Sequence, residues 1–397
     1  MKKYIFFVVG VMCTLLSHTA YAIDLNKSDA NIIGHVLEKK TGEHLPYMTV
    51  ALKGTTIGTM TDGTGHYFLK NLPEGEFILS VSAVGYKPQE RKVTLKRGKT
   101  LEENFELEED MVALDGVVVT ANRNETARRL APTLVKVVTP KLFDMTNSHT
   151  LSQGLVFQPG VRVENDCQNC GYSQVRINGM DGKYTQILID SRPIFSALAG
   201  VYGLEQIPAN MIERVEVVRG GGSALFGSSA IAGTVNIITK EPLRNSGSFA
   251  HSISNFDGSG SFDNNTTLNL SLVSSDNKMG AYIYGQNRHR SAWDSNGDSF
   301  SELPKLKNQT VGVNAYYRLS PYSKLNLEYH HMEEFRRGGN RFDLPPHIAE
   351  DANLNGSGEP GLVEQIEHSI NTGGLKFSAF SKDQKHAFNA YASAQHI

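Results

Sequence analysis

Apolar and polar residues alternate with a period of two along much of this chain. Phe77, Leu79 and Val81 alternate with Ile78, Ser80 and Ser82. Farther on, Leu268, Leu270 and Leu272 are separated by Asn269 and Ser271, and Leu325, Leu327 and Tyr329 by Asn326 and Glu328. Val311, Val313, Ala315, Tyr317 and Leu319 repeat the pattern against Gly312, Asn314, Tyr316 and Arg318. A period of two places each set on its own face of a β-strand.

The alternating runs fall into two groups. Between residues 30 and 108 they are short and closely spaced, at 32–37, 49–53, 65–69, 76–84 and 89–95. Turn signals separate them, among them Asp62-Gly63, which tolerates positive φ, and Pro73, which pre-sets a turn dihedral. That density of strands and turns predicts an all-β sandwich with Phe77, Leu79 and Val81 facing its core. Over 245–397 the runs are longer, and seven can be counted. Short connections at 275–277, 321–322 and 382–384 alternate with polar loops near 257–263, 291–305 and 336–362. Lipid-out, polar-in alternation with turns of unequal length predicts a transmembrane antiparallel β-barrel.

The beginning of the chain changes the picture. Lys2 and Lys3 precede an almost wholly apolar run at 5–16, and Ala20-Tyr21-Ala22 follows. This reads as a signal peptide over 1–22, because the run is too short to span a bilayer as a helix. Composition agrees with a strand-rich chain, with 37 Gly, 15 Tyr and 18 Phe among 397 residues. A formal net charge of -2 offers no electrostatic case for nucleic acid.

Residues 214–240 read RVEVVRGGGSALFGSSAIAGTVNIITK. The glycines raise the question of a phosphate-binding loop. A Walker-type loop needs Lys after its last glycine, and here Ser228 follows Gly227. The dinucleotide pattern fails as well, with Leu225 three positions after Gly222. Gly220, Gly221, Gly222 and Gly227 are therefore expected to be structural, turning the chain tightly between two strands.

Two stretches carry a resemblance. Gly34-x-Val36, Thr61-Asp62, Gly65-x-Tyr67-x-Leu69, Leu72-Pro73-x-Gly75 and Val84-Gly85-Tyr86 make residues 30–108 similar to carboxypeptidase-regulatory-like domains, which are transthyretin-type sandwiches. Residues 123–242 resemble the plug of TonB-dependent outer-membrane receptors. The matching pieces are Leu155-x-x-Gln158-Pro159-Gly160-Val161, Arg176-Ile177-Asn178-Gly179, Ile187-Leu188-Ile189-Asp190 and Arg214-Val215-Glu216-Val217. Arg219 with the glycine run, and Gly233-Thr234-Val235-Asn236, complete the series. The expected fold is thus mostly β: a transthyretin-like β-sandwich, an α+β plug domain, and the first strands of a transmembrane antiparallel β-barrel. Members of the resembled family close with about 22 strands, so the chain is expected to be an N-terminal fragment.

The resemblance implies an import function. A receptor of this kind captures a scarce extracellular small-molecule or metal-complex ligand, such as a siderophore, cobalamin or haem. It sits in outer-membrane lipid and draws energy from a TonB-type energy-transducing complex. The linker over 109–122 contains Val117, Val118, Val119 and Thr120, which resemble the box such a partner engages by strand addition. Import of a glycan, or a non-transporting surface adhesin, are the alternatives.

Other residues offer candidate chemistry. Cys167 and Cys170 form a C-x-x-C, read as a local disulfide, a redox pair or part of a metal site in an oxidising compartment. Asp294, Asn296 and Asp298, and likewise Asp351, Asn353 and Asn355, resemble the start of a calcium loop. Both lack Glu at position twelve, where Lys305 and Leu362 stand. Calcium is the one candidate cofactor, and none is required. His35, His44 and His66 show no ligand-like spacing. His330 and His331 are neighbours in a predicted strand and cannot both face one haem; His347 falls in a loop. Glu213, Arg214, Glu216 and Arg219 form a mixed-charge set, expected to pair between plug and barrel wall. No nucleophile-base-acid constellation is found, so no enzyme is expected.

Overall fold

A computed structural model describes residues 28–83, 86–109, 117–118, 126–127, 135–167, 172–193, 207–258, 260–342, 344–351, 361–382 and 386–397. The leader expected over 1–22 lies outside them.

The first unit is a sandwich of two sheets. Its strands are β1 (Ala30–Glu38), β2 (Thr49–Leu52), β3 (Gly58–Met60), β4 (His66–Leu72), β5 (Gly75–Ser82), β6 (Gln89–Leu95), β7 (Thr100–Glu102) and β8 (Phe105–Leu107). One sheet sets β1 against β4, β7 and β8, and the other runs β3-β2-β5-β6. Period-two alternation decides which side chains meet. Ile32, Val36, Leu52, Leu69, Leu79 and Phe105 are each at most 1% exposed, while Ile33 and Phe68 face outward. Each such buried side chain contributes about 1.5–3 kcal/mol.

Val117–Val118 (β9) and Thr126–Ala127 (β10) then form a two-stranded antiparallel ladder, with Val118 opposite Thr126. Val119 and Thr120 lie outside the described residues.

The second unit is built on β11 (Val135–Val138), β12 (Val161–Cys167), β13 (Tyr172–Ile177), β14 (Thr185–Ile189), β15 (Arg192–Pro193), β16 (Ile212–Arg219) and β17 (Gly233–Thr239). Five of these make one sheet in the order β11-β16-β17-β14-β15, and β12 and β13 pair as a separate hairpin. Short helices at Pro140–Met145 and Leu151–Leu155 cover the sheet. The first carries Pro at its opening turn, where a missing N–H costs nothing. β16 and β17 lie inside the sheet, and their Val215, Val217, Val235 and Ile237 are at most 1% exposed.

The third unit is a seven-stranded sheet of consecutive antiparallel neighbours. They are β18 (Ser246–Asn255), β19 (Phe262–Val273), β20 (Met279–Arg290), β21 (Lys305–Ser320), β22 (Ser323–Gly339), β23 (Val363–Phe380) and β24 (Ala387–His396). Short turns and longer loops alternate between them as expected. The sheet does not close, and β18 and β24 are its edges. One face exposes Leu268, Leu272, Val311, Leu319, Leu327 and Phe388. The other buries Asn265, Gln286, Arg288, Asn308, His330 and Arg336. An apolar outer face and a polar inner face match a barrel wall in lipid. Among the described residues no helix is long and apolar enough to cross a membrane, which leaves crossing by strands open.

The sandwich rests on the short-turn end of this wall. The Thr56 amide donates to the Pro321 carbonyl at 2.8 Å. Tyr322 packs against the sandwich core, and the Arg244 guanidinium lies 4.4 Å from the Tyr47 ring.

Candidate functional site

The site is the seam between the β11–β17 unit and the polar face of the wall. It begins with two tight turns. Asn178 and Gly179 have φ of 55° and 76°, and the Met180 amide donates to the Ile177 carbonyl at 3.1 Å. Asp190 and Ser191 repeat this, at 45° and 66°, between β14 and β15. Two consecutive positive φ values make the tight hairpin turns that Asn, Asp and Gly favour.

The second turn is fastened to β17. The Asp190 carboxylate accepts from the Thr239 amide at 3.1 Å and from the Thr239 hydroxyl at 2.7 Å. The Ser191 amide donates to Asn236 Oδ1 at 2.9 Å, and Asn236 Nδ2 donates to Ser191 Oγ at 3.2 Å. Burial, and then the charge of Glu328, raise the Asp190 carboxyl above its ordinary range. These bonds hold the turn against the wall, where Arg192 pairs with Glu328 of β22.

Further contacts cross the seam. Tyr282 and Tyr284 of β20 belong to the same apolar core as Leu151, Ile187, Val215 and Ile237. Tyr282 donates from its hydroxyl to the Asn210 carbonyl at 2.8 Å, and Asn210 Nδ2 donates to the Gly285 carbonyl at 3.1 Å. His149 Nε2 meets Ser252 Oγ at 3.1 Å, and Gln286 donates to the His149 carbonyl at 3.3 Å. His330 is buried against the Tyr284 hydroxyl, whereas His331 points to the opposite face and meets Asn371 Oδ1 at 2.9 Å. The two histidines do not share a ligand.

The glycine run is structural. The Gly220 amide donates to the Ala232 carbonyl at 2.9 Å and the Gly222 amide to the Ala230 carbonyl at 2.8 Å. Those donors are therefore not available to cradle a phosphate. Gly233 sits where strands crowd, since a β-carbon there would lie 2.9 Å from Ile177 and closer still to the Val218 carbonyl.

The mixed-charge set of β16 pairs at least in part within its own strand. Arg214 pairs with Glu216 at 2.9 Å along a single strand inside the sheet. β16 lies between β11 and β17 in the sheet, and Val215 and Val217 of that strand share a core with Tyr282 and Tyr284 of the wall. Arg219 lies over Gly160, with its Cζ 3.2 Å from where a β-carbon would be. The charged residues that do reach the wall, Arg192 and Glu241 with their wall partners Glu328 and Lys324, gave no motif signal. Arg176 pairs with Glu164 at 2.5 Å and Asp181 at 3.4 Å, beside a cavity of about 340 Å³ that Arg162, Asn178 and Gly179 also line.

Cys167 ends β12 opposite Tyr172, and Cys170 lies outside the described residues. In the loop after β20, Asp294 and Asp298 come together with Glu302, one carboxylate oxygen of each lying within 4.8 Å of the others. Asn296 instead donates to Asp298 at 3.1 Å. Glu302 was missed although it stands at position nine of the same calcium-loop spacing; the Trp293–Leu303 bridge folds it back. Asp351 is exposed and its main-chain oxygen accepts from Arg341 at 3.1 Å, while Asn353 and Asn355 lie outside the described residues.

Comparison with known proteins fits this geometry. Residues 32–119 match the CarboxypepD_reg-like domain, and residues 127–234 match the TonB-dependent receptor plug domain. Residues 127–234 thus form a domain of the TonB-dependent receptor plug type. It is 32% identical over 229 residues to the vitamin B12 transporter BtuB of Vibrio vulnificus, covering 50% of this chain and 37% of that protein. BtuB of Photobacterium profundum is 37% identical over 128 residues, covering 32% and 20%. The chain thus spans well under half the length of the curated relatives it matches. The siderophore receptor PirA of Acinetobacter baumannii shares the fold with a TM-score of 0.56 at 21% identity, covering 68% of this chain and 40% of that one. With the plug named, Tyr282 and Tyr284 become wall residues that complete its core.

Proposed function

We propose that this chain is the sandwich, plug and first wall strands of a TonB-dependent outer-membrane receptor that imports a siderophore or cobalamin. One observation carries the reading: a plug sheet seated by buried polar bonds against the polar face of a wall whose other face is apolar. Such a plug has to block the lumen until it is moved, so its contacts should be polar and breakable rather than a continuous apolar weld. The named activities of the BtuB relatives and the siderophore-receptor fold support the ligand class. The partner is a TonB-type complex on the short-turn side, engaging the segment at Val117, Val118, Val119 and Thr120 by strand addition.

The test uses the complete gene in its own cells. Deleting residues 117–120 should abolish uptake of labelled cobalamin or ferric siderophore and leave surface binding unchanged. Uptake that survives the deletion would overturn the reading. Persistence of cell adhesion as the sole measurable activity would favour a surface adhesin instead.

A further inference from the structure

His35, His44 and His66 have no regular spacing in the sequence, yet the fold gathers them on the outer face of the sandwich. His35 and His66 are direct partners in the antiparallel β1–β4 pair, so their side chains leave the sheet on one face. His44 arrives by a tight return after β1. The Gly42 amide donates to the Glu38 carbonyl at 2.8 Å, and the Leu45 amide to the Val36 carbonyl at 2.8 Å. Gly65 has φ of 77°, and a β-carbon there would lie 2.8 Å from that of His44, so glycine is what lets His44 close over the strand. The ring centroids are 5.3 Å apart for His35 and His44, 5.8 Å for His35 and His66, and 4.9 Å for His44 and His66.

Those separations match a tetrahedral metal. With Zn–N bonds of about 2.0–2.1 Å, three imidazoles on one tetrahedral ion have centroids roughly 5.2 Å apart. The nitrogens do not yet converge within 4.8 Å of one another. His44 and His66 are exposed, so turning about their side-chain torsions meets little packing.

A second observation points to a ligand. The Thr64 hydroxyl donates its one proton to Asp62 Oδ1 at 2.6 Å. Toward His66 Nδ1, 3.1 Å away, it can then only accept. That places the proton of neutral His66 on Nδ1 and leaves the Nε2 lone pair outward. A carboxylate–hydroxyl–imidazole chain of this kind is how outer groups orient a metal-binding histidine. Among the described residues, no side-chain hydrogen bond or ion pair engages the rings of His35 or His44.

We propose that His35, His44 and His66 bind a borderline divalent transition metal ion of the zinc class, with Thr64 and Asp62 orienting His66. Neutral imidazole suits this class, and three such ligands leave one coordination position open. The site belongs to the sandwich and stands apart from the plug seam.

The experiment titrates the untagged chain in detergent with Zn²⁺ by calorimetry and with Co²⁺ by its visible spectrum. The unaltered chain should take up one equivalent of Zn²⁺ that the H35Q/H44Q/H66Q variant does not. Thr64→Val should weaken that equivalent about 10–100-fold while leaving the ligands in place. His44→Asn alone, at an exposed return, serves as the control for folding, with circular dichroism recorded without metal. Equal stoichiometry and affinity in the unaltered chain and the triple variant would overturn the proposal. So would an unchanged Zn²⁺ affinity in both His44→Asn and Thr64→Val.

Discussion

Arg192 of the plug and Glu328 of the wall form an ion pair directly over the backbone of Gly374. Both side chains are 14% exposed. A β-carbon at Gly374 would collide with both partners, so the absence of a side chain on β23 makes room for the pair. Removing one member of such a pair leaves a nearly buried charge without its partner. Glu328→Gln should lower the local opening free energy of β14–β15 by about 3 kcal/mol. The R192M/E328M double variant should recover most of it. Amide exchange over residues 185–193 reads both outcomes, and equal protection in all three proteins would refute a role for the pair in seating the plug.

Gly233→Ala tests crowding inside the plug. The new methyl group meets the Val218 carbonyl and Ile177 on a strand paired on both sides, so neither can withdraw freely. A loss of about 1–3 kcal/mol is expected, as for overpacking in general. It should appear as a lower protease concentration for cleavage within 135–239, with the sandwich unaffected.

The contact at His149 should depend on pH. Burial, and then the charge of Arg288, lower its pKa below the ordinary 6.5, with Asp263 opposing. The groups facing it are Ser252, Gln286, Arg288 and Asp263. A depressed folded value means the stabilisation is present above 6.5 and is lost as pH falls through the folded value. Exchange protection of the helix Leu151–Leu155 should therefore decline on moving from about pH 7.5 to about pH 5. His149→Gln should flatten that decline. A slope equal in the two proteins would place the pH dependence elsewhere.

The loop of Asp294, Asp298 and Glu302 makes a simple prediction about added calcium. Three carboxylates that close repel one another, and a hard cation relieves that. Calcium in the range of about 0.1–1 mM should protect the amides of residues 294–302 from exchange. Glu302→Gln should shift the midpoint upward several-fold. Protection that is insensitive to both calcium and Glu302→Gln would show that the backbone bonds to Asp294 and Asp298 suffice alone.

Much of the fold was legible because period-two alternation acts locally. Phe77, Leu79 and Val81 face one way for steric reasons set by their own strand. The outward-facing leucines of β19 were legible on the same grounds. The turns at Asn178-Gly179 could be read because few residues tolerate positive φ. The seam was not legible. Arg192 and Glu328 are separated by more than a hundred positions, and no local preference marks either. Arg214 and Glu216 stand out because charge between valines is conspicuous, but spacing alone does not show that they pair along their own strand. The three histidines of the sandwich were invisible for a related reason: strand register and a return loop juxtapose them, and spacing does not reveal register.

The hydrogen bond from Thr56 to Pro321 fixes more than a domain position. The segment at Val117–Val118 lies between the sandwich and the plug along the chain, so tension applied there divides between two anchors. One anchor is braced against the rim by Thr56, Tyr322 and the Arg244–Tyr47 contact. The other is held by polar bonds along the seam, which can be broken one at a time. Under the proposed function, whichever of the two joints opens first would decide whether the plug or the sandwich moves under load.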